Sequence, residues 1–200
     1  MVDIGVVSMR REASFGNPEP VLLLDLDPGR FRYSVWRNIT IGVWADQATE
    51  EAARRIIALS RSMARNHAGG HSNVIFVLDG APPPTPEANQ IFAQIHDQKV
   101  SDLVCMGIVV EGSGFWASAI RSSITGVRMS SASGIRMGVS DNVNQLMEWL
   151  PAEHSKRTGV NVSASELRPV LVALRELAAN DNGERPLMAS QRSSSNPSSL

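Results

Sequence analysis

The sequence has few of the features that mark several large classes of protein. It contains a single cysteine, Cys105, among 200 residues, so an internal disulfide is excluded and a reducing, cytoplasmic setting is expected. No apolar run approaches the roughly 18 residues that a membrane-spanning helix needs. The expected protein is therefore soluble and does not insert into a membrane.

The chain also lacks an excess of charge of either sign. Lys and Arg together number 19, Asp and Glu 20, and the formal net charge is -1. A near-neutral chain has no global field that draws it to nucleic acid or to an anionic membrane, so neither is expected as a partner. The hydrophobic fraction of 42% is sufficient for the core of one α/β domain.

Hydrophobic periodicity predicts an α/β fold with a mixed β-sheet. Residues 21–27 form an apolar strand, and the period-2 alternation in residues 31–36 and 39–44 predicts two more strands joined by short turns, hence antiparallel. From residue 45 onward strands alternate with helices, which predicts crossovers and mainly parallel pairing. The further predicted strands are 74–78, 103–110 and 135–139. Helices are predicted to begin after the N-cap Thr49, at Pro86 after the N-cap Thr85, and at Ser140, and Pro151 is predicted to end the last of these.

Composition divides the chain into one domain with extensions. Residues 20–151 form the predicted domain, which Pro151 closes, and residues 1–19 are a flexible arm or a short edge strand. Residues 152–163 are polar and predict a linker, while residues 180–200 have almost nothing to bury and predict a disordered tail.

A C-terminal amphipathic helix is predicted over residues 164–179. Ser163 and Glu166 have the spacing of a capping box, and apolar residues recur after it at helical intervals. This stripe could pair between chains and make a homo-oligomer. The side chains of that pairing would be Leu167, Leu171 and Leu174.

A glycine turn follows the predicted strand 103–110. Gly112, Ser113 and Gly114 formally satisfy the start of a dinucleotide-binding pattern, although Asp141 lies farther along than the acidic residue of that pattern. Three interpretations remain open: a structural turn, anion binding at the start of the next helix, and a dinucleotide site. An anion or an acidic partner at this helix would meet its cationic face, which carries Arg121, Thr125 and Arg128.

Carboxylates suggest a second candidate site. Asp46, Asp79, Glu111 and Asp141 each follow a predicted strand, so parallel pairing would gather them at one edge of the sheet, where α/β proteins bind ligands. Capping and solvation of the following helices is the alternative.

His67 and His71 could hold a metal only on a helix, which Gly69 and Gly70 between them break. No Ser-His-Asp arrangement is evident either, so we expect no catalytic residues, no metal and no cofactor.

The element order resembles the STAS-like fold, the fold of the anti-sigma factor antagonists and of related single-domain bacterial proteins. The resemblance covers about residues 20–151 and rests on that order, on the strand Asn73 to Leu78, and on the closing segment Val139 to Leu150. It implies a regulatory protein-interaction module without catalysis. It also implies docking on another protein through the helix that starts at Pro86 and the loop before it.

The residues that this resemblance assigns to partner binding are polar. They are Thr85, Glu87, Asn89 and Gln90. In the antagonists a phosphorylatable Ser or Thr after an Asp starts this helix, whereas this chain has Pro-Pro-Thr85-Pro. Two alternatives to the regulatory module are a small-ligand, nucleotide-binding or phosphoryl-transfer enzyme that uses the carboxyl edge of the sheet, and a self-assembling structural protein.

Overall fold

Strands that are neighbours in sequence are also neighbours in space throughout the sheet of this protein. The computed structural model describes residues 10–13, 21–27, 31–93, 102–113, 117–119, 121 and 134–183. Within these residues seven strands form one sheet in the order β1 to β7. Their bounds are β1 Arg10–Ala13, β2 Val21–Asp27, β3 Phe31–Trp36, β4 Ile39–Trp44, β5 His71–Val77, β6 Leu103–Val110 and β7 Arg136–Ser140.

The sheet changes character at β4. Strands β1 to β4 pair antiparallel, and β4 to β7 pair parallel. Among the described residues, the helices with defined bounds are α1 Glu50–Asn66, α2 Pro86–Ala93, α3 Val143–Met147, α4 Leu150–Thr158 and α5 Ala164–Gly183. The predicted mixed α/β fold, with antiparallel opening strands and alternating helices, is confirmed.

Helices cover both faces of the sheet. Helices α1 and α2 pack on one face, in a core that includes Ile56 and Ile91. Helices α3, α4 and α5 pack on the other, in a core that includes Leu146 and Leu171. This division follows from topology: right-handed crossovers between successive parallel strands place their helices on one face, which leaves the other face for the chain after β7.

Local sequence chemistry fixes the helix starts that were predicted. The side chain of Thr49 accepts a hydrogen bond from the backbone N–H of Ala52 at the start of α1. Before α5, Ser163 Oγ accepts from the N–H of Glu166 at 3.2 Å, and Glu166 Oε2 accepts from the N–H of Ser163 at 3.0 Å. The predicted capping box is therefore present.

The region after β7 differs from the prediction of a linker at 152–163. Helix α4 spans Leu150–Thr158, has a proline at its first turn and ends at Gly159 with φ 76°. Pro151 therefore begins a helix rather than ending one, as proline can where no backbone donor is required. Leu150 and His154 are fully buried, whereas Glu153 and Arg157 form an ion pair on the outer side.

The apolar stripe of α5 is covered by the sheet of the same chain. Leu167 and Leu171 are 0% exposed and Leu174 is 1% exposed, and all three belong to the second core. Pairing between chains through these leucines is thus not supported, because their surface is already used inside the protomer.

Other differences lie at element ends. Strand β5 begins at His71, earlier than predicted, because its polar first residues are buried and two of them, His71 and Ser72, hydrogen-bond to helices. Helix α5 continues to Gly183, past the predicted end at 179. Within the described residues, no helix combines the length and the apolar character required to cross a membrane.

Candidate functional site

Four carboxylate residues lie at the edge where the parallel strands end. Asp46 and Asp79 are two residues past the ends of β4 and β5, and Glu111 and Asp141 come directly after β6 and β7. Parallel strands end at the same edge, so the sequence placed these residues correctly. The contacts of each carboxylate determine whether the edge can bind a ligand.

Arg121 is engaged at this edge by groups of its own chain. Its Nη2 donates to the backbone carbonyls of Val110 at 2.9 Å and Gly112 at 3.1 Å. Its Nε lies 3.0 Å from Oδ1 of Asp141 in an ion pair. The guanidinium of Arg121 therefore links the end of β6 to the end of β7. Its positive charge, which was predicted to bind an anion, is paired with Asp141 instead.

Arg175 neutralises a second carboxylate. Its Nε and Nη2 donate to the two carboxylate oxygens of Glu111, each at 2.8 Å. Paired hydrogen bonds of this kind are both strong and directional. Because Arg175 belongs to α5, the pair fastens the C-terminal helix to the end of the inner strand β6. No pattern in the sequence pointed to Arg175.

The glycine turn after β6 faces a carboxylate. Gly112 has φ +86°, and a side chain at this position would collide with the carboxylate of Asp79. Glycine is thus required here both for backbone conformation and for space. The negative charge of Asp79 beside the turn repels an anion. Of the predicted anion site, Gly112, Ser113 and Arg121 are described, whereas Gly114, Thr125 and Arg128 lie outside the described residues.

The loop before α2 is exposed, but hydrogen bonds and prolines restrict its conformation. The N–H of Ala81 donates to Leu78 O at 3.1 Å, and the N–H of Thr85 donates to Ala48 O at 3.0 Å. Thr85 Oγ1 also accepts from the N–H of Ala88 at 3.2 Å, so Thr85 caps α2 as predicted. These bonds, together with three prolines at 82–84, restrict the loop to one path.

Helix α2 presents a polar face to solvent. Ala88 and Ile91 are its buried residues, and the ring of Phe92 stacks on Trp44 with centroids 5.2 Å apart. We define the α2 surface as the exposed residues of the loop and helix together with half-buried Thr85. Its exposed members within residues 82–93 are Pro82, Pro83, Pro86, Glu87, Asn89, Gln90 and Ala93. All four residues predicted to bind a partner therefore lie on one continuous segment.

A buried polar network lies beneath α4, at the opposite end of the sheet. His154 Nε2 is 2.9 Å from Asn38 Oδ1, and His154 Nδ1 is 2.7 Å from Ser72 Oγ. Asn38 Nδ2 donates to Gly70 O at 3.0 Å, so its Oδ1 is the acceptor. The imidazole consequently carries its proton on Nε2 and accepts from the Ser72 hydroxyl at Nδ1.

This network resembles a nucleophile, base and amide set, but it is closed to substrates. Ser72 and His154 are 0% exposed and Asn38 is 1% exposed. Burial and the charge of Arg37 lower the pKa of His154 to about 4, and burial raises the pKa of the neighbouring Cys105 thiol to about 11. The group is neutral at pH 7 and holds α4 against the sheet.

The described residues contain no group of three His, Cys, Asp or Glu side chains arranged to hold a metal ion.

The fold is an α/β/α sandwich with two contrasting surfaces among the described residues. Most charged side chains at the carboxyl edge of the sheet are paired within the chain. The α2 surface is polar and exposed, and its backbone is restrained. No protein-family model matches the chain, and no similar curated protein was found.

Proposed function

We propose that this protein is a non-enzymatic interaction module that docks on another protein through the α2 surface. The observation that carries the proposal is the contrast between two regions. At the sheet edge Arg121 and Arg175 are engaged by carboxylates of the chain, whereas Glu87, Asn89 and Gln90 are exposed on a surface that the backbone holds in place.

Restraint of the loop favours binding. Ordering a flexible segment opposes association, and a segment already fixed in one conformation avoids that cost. Proline has a fixed φ and therefore loses little backbone entropy on binding. The hydrogen bonds at Ala81 and Thr85 restrict the backbone of the loop further. The location of this surface agrees with the docking helix that the STAS-like resemblance implies, which supports a regulatory role in a bacterial signalling system.

Compartment and partner class follow from other features. Cys105 is a free, buried thiol, which supports the proposal of a reducing, cytoplasmic setting. The net charge of -1 supports recognition by local contacts rather than by a long-range field. The proposed partner is therefore a folded protein that contacts a polar surface.

Charge reversal at Glu87 tests the proposal. Glu87→Arg is expected to reduce capture of the partner from the native host about tenfold, equivalent to about 1.4 kcal/mol, because it places the opposite charge in the contact. The measurement is quantitative affinity capture with the tagged full-length chain.

Glu148→Arg is the matched control for that experiment. Glu148 is exposed and lies between α3 and α4, in the layer that packs on the other face of the sheet, so the same change of charge there should leave capture intact. Equal capture by wild type and Glu87→Arg would contradict the docking assignment. Equal loss in both variants would instead indicate a nonspecific effect of net charge.

The ligand-binding alternative makes a different prediction. A nucleotide with Mg²⁺ at 100 times its Kd would add about 2.7 kcal/mol to the free energy of unfolding. We expect ATP, ADP and Mg²⁺ to leave the melting temperature unchanged, since Asp79 faces the glycine turn and Arg121 is occupied by Asp141. A dose-dependent rise in Tm would favour the alternative.

A further inference from the structure

A small cavity lies between α1 and the sheet, away from the α2 surface. Strand residues Tyr33, Thr40 and Asn73 line it from one side, and the helix residues Ile56, Leu59 and Ser60 close it from the other. The cavity volume is about 10 Å³. This is about the smallest volume that holds one water molecule and is too small for an organic ligand.

One wall of the cavity carries a polar atom without a protein partner. Asn73 is 5% exposed, and within the described residues no donor lies within hydrogen-bond distance of its Oδ1. A buried acceptor left unsatisfied costs about 1–3 kcal/mol. Native proteins commonly satisfy such groups with internal water.

Other polar groups in the wall retain hydrogen-bonding capacity. Tyr33 Oη accepts from Trp44 Nε1 at 2.8 Å, which leaves its own O–H able to donate. Thr40 Oγ1 donates to Ser72 O at 3.3 Å, and Ser60 Oγ is 3.1 Å from His71 Nε2; each hydroxyl oxygen keeps acceptor capacity. A water molecule needs two to four such partners.

The position of the tyrosine hydroxyl is fixed by packing. Its ring lies across Gly42, where even a methyl group would come within 2.6 Å of Tyr33 Cζ. Burial raises the pKa of Tyr33 well above its usual value, so its hydroxyl keeps its proton and remains a donor at neutral pH.

We propose that the cavity is a binding site for one ordered water molecule that hydrogen-bonds to Asn73 and to hydroxyl groups of the wall. The water hydrogen-bonds to the Asn73 amide of β5 and to hydroxyl groups among Tyr33, Thr40 and Ser60, which line the same cavity. Because water both donates and accepts, the site functions for either orientation of the Asn73 amide.

A high-resolution crystal structure of the full chain tests the proposal. We expect a density peak within hydrogen-bond distance of the Asn73 amide in the wild type and its loss in Asn73→Leu, whose apolar side chain fills the cavity. An empty cavity in the wild type would overturn the proposal. A peak that persists in Asn73→Leu would overturn the role of Asn73.

Nuclear magnetic resonance provides a second test that requires no variant. A long-lived internal water is expected to give cross-peaks from the water resonance to the backbone amides of Asn73 and Ser60 in the wild-type protein. Tyr33→Phe removes one proposed donor and should weaken these cross-peaks. Their absence in the wild type would contradict the proposal, even if Asn73→Leu failed to fold.

Discussion

Leu171→Ala is expected to lower the free energy of unfolding by about 2–5 kcal/mol, the usual cost of removing a leucine side chain from a core. Leu171 is 0% exposed and belongs to the core between α5 and the sheet, so the shortened side chain leaves a cavity. Urea denaturation monitored by tryptophan fluorescence measures the change, with the m-value as a check on two-state behaviour.

Val172→Ala on the same helix is the matched control. Val172 is 38% exposed, so its truncation should alter stability by less than about 0.5 kcal/mol. Equal effects of the two substitutions would contradict the packing of α5 on its own sheet. An effect of Leu171→Ala that depends on protein concentration would instead place this leucine between chains.

The second large effect is a loss of stability in mild acid. Burial lowers the pKa of both His154 and His71 to about 4, with added contributions from Arg37 at His154 and from His67 and His154 at His71. Histidine in the unfolded chain titrates near 6.5. Between these values the unfolded chain binds more protons than the folded chain, so stability is complete above about pH 6.5 and falls as the pH is lowered to about 4.

The loss assigned to His154 alone is on the order of 3 kcal/mol across that interval. Protonation would place a charge at a site with no solvent and would turn Nδ1, which accepts from Ser72, into a second donor. Unfolding curves recorded at successive pH values measure the dependence.

His154→Gln isolates this group. It keeps a polar side chain but cannot titrate, so the slope of unfolding free energy against pH should become shallower by about one proton between pH 6.5 and 4. Glu166, whose pKa is lowered to about 2 by hydrogen bonds from Ser163 and Arg37, acts at lower pH and does not overlap most of this window. An unchanged slope would contradict the closed network.

Elements whose signal is local were predictable from the sequence. Strands β2, β3, β4 and β6 have the bounds that apolar runs and period-2 alternation predict, because these patterns lie within each strand itself. Thr49 and Ser163 were recognised because a capping bond spans only a few residues.

Elements that depend on distant partners were not predictable. Helix α4 has a histidine on its buried side, and the partners of His154 are 82 and 116 residues away in sequence. Because those partners are far away in sequence, the polar composition of residues 152–163 predicted a linker. Likewise, the sequence placed the edge carboxylates, but not Arg175, which is 64 residues from Glu111. The apolar stripe of α5 was predictable from its spacing in the sequence, whereas the face of the sheet on which it packs was not.

Site-specific photo-cross-linking tests the central proposal most directly. A photoreactive phenylalanine analogue is placed at Gln90 on the α2 surface or at Glu148 on the opposite layer, both exposed, and the chain is irradiated with its captured partner. The account predicts a cross-linked complex from position 90 and none from position 148. Cross-linking from position 148 alone would contradict docking through α2.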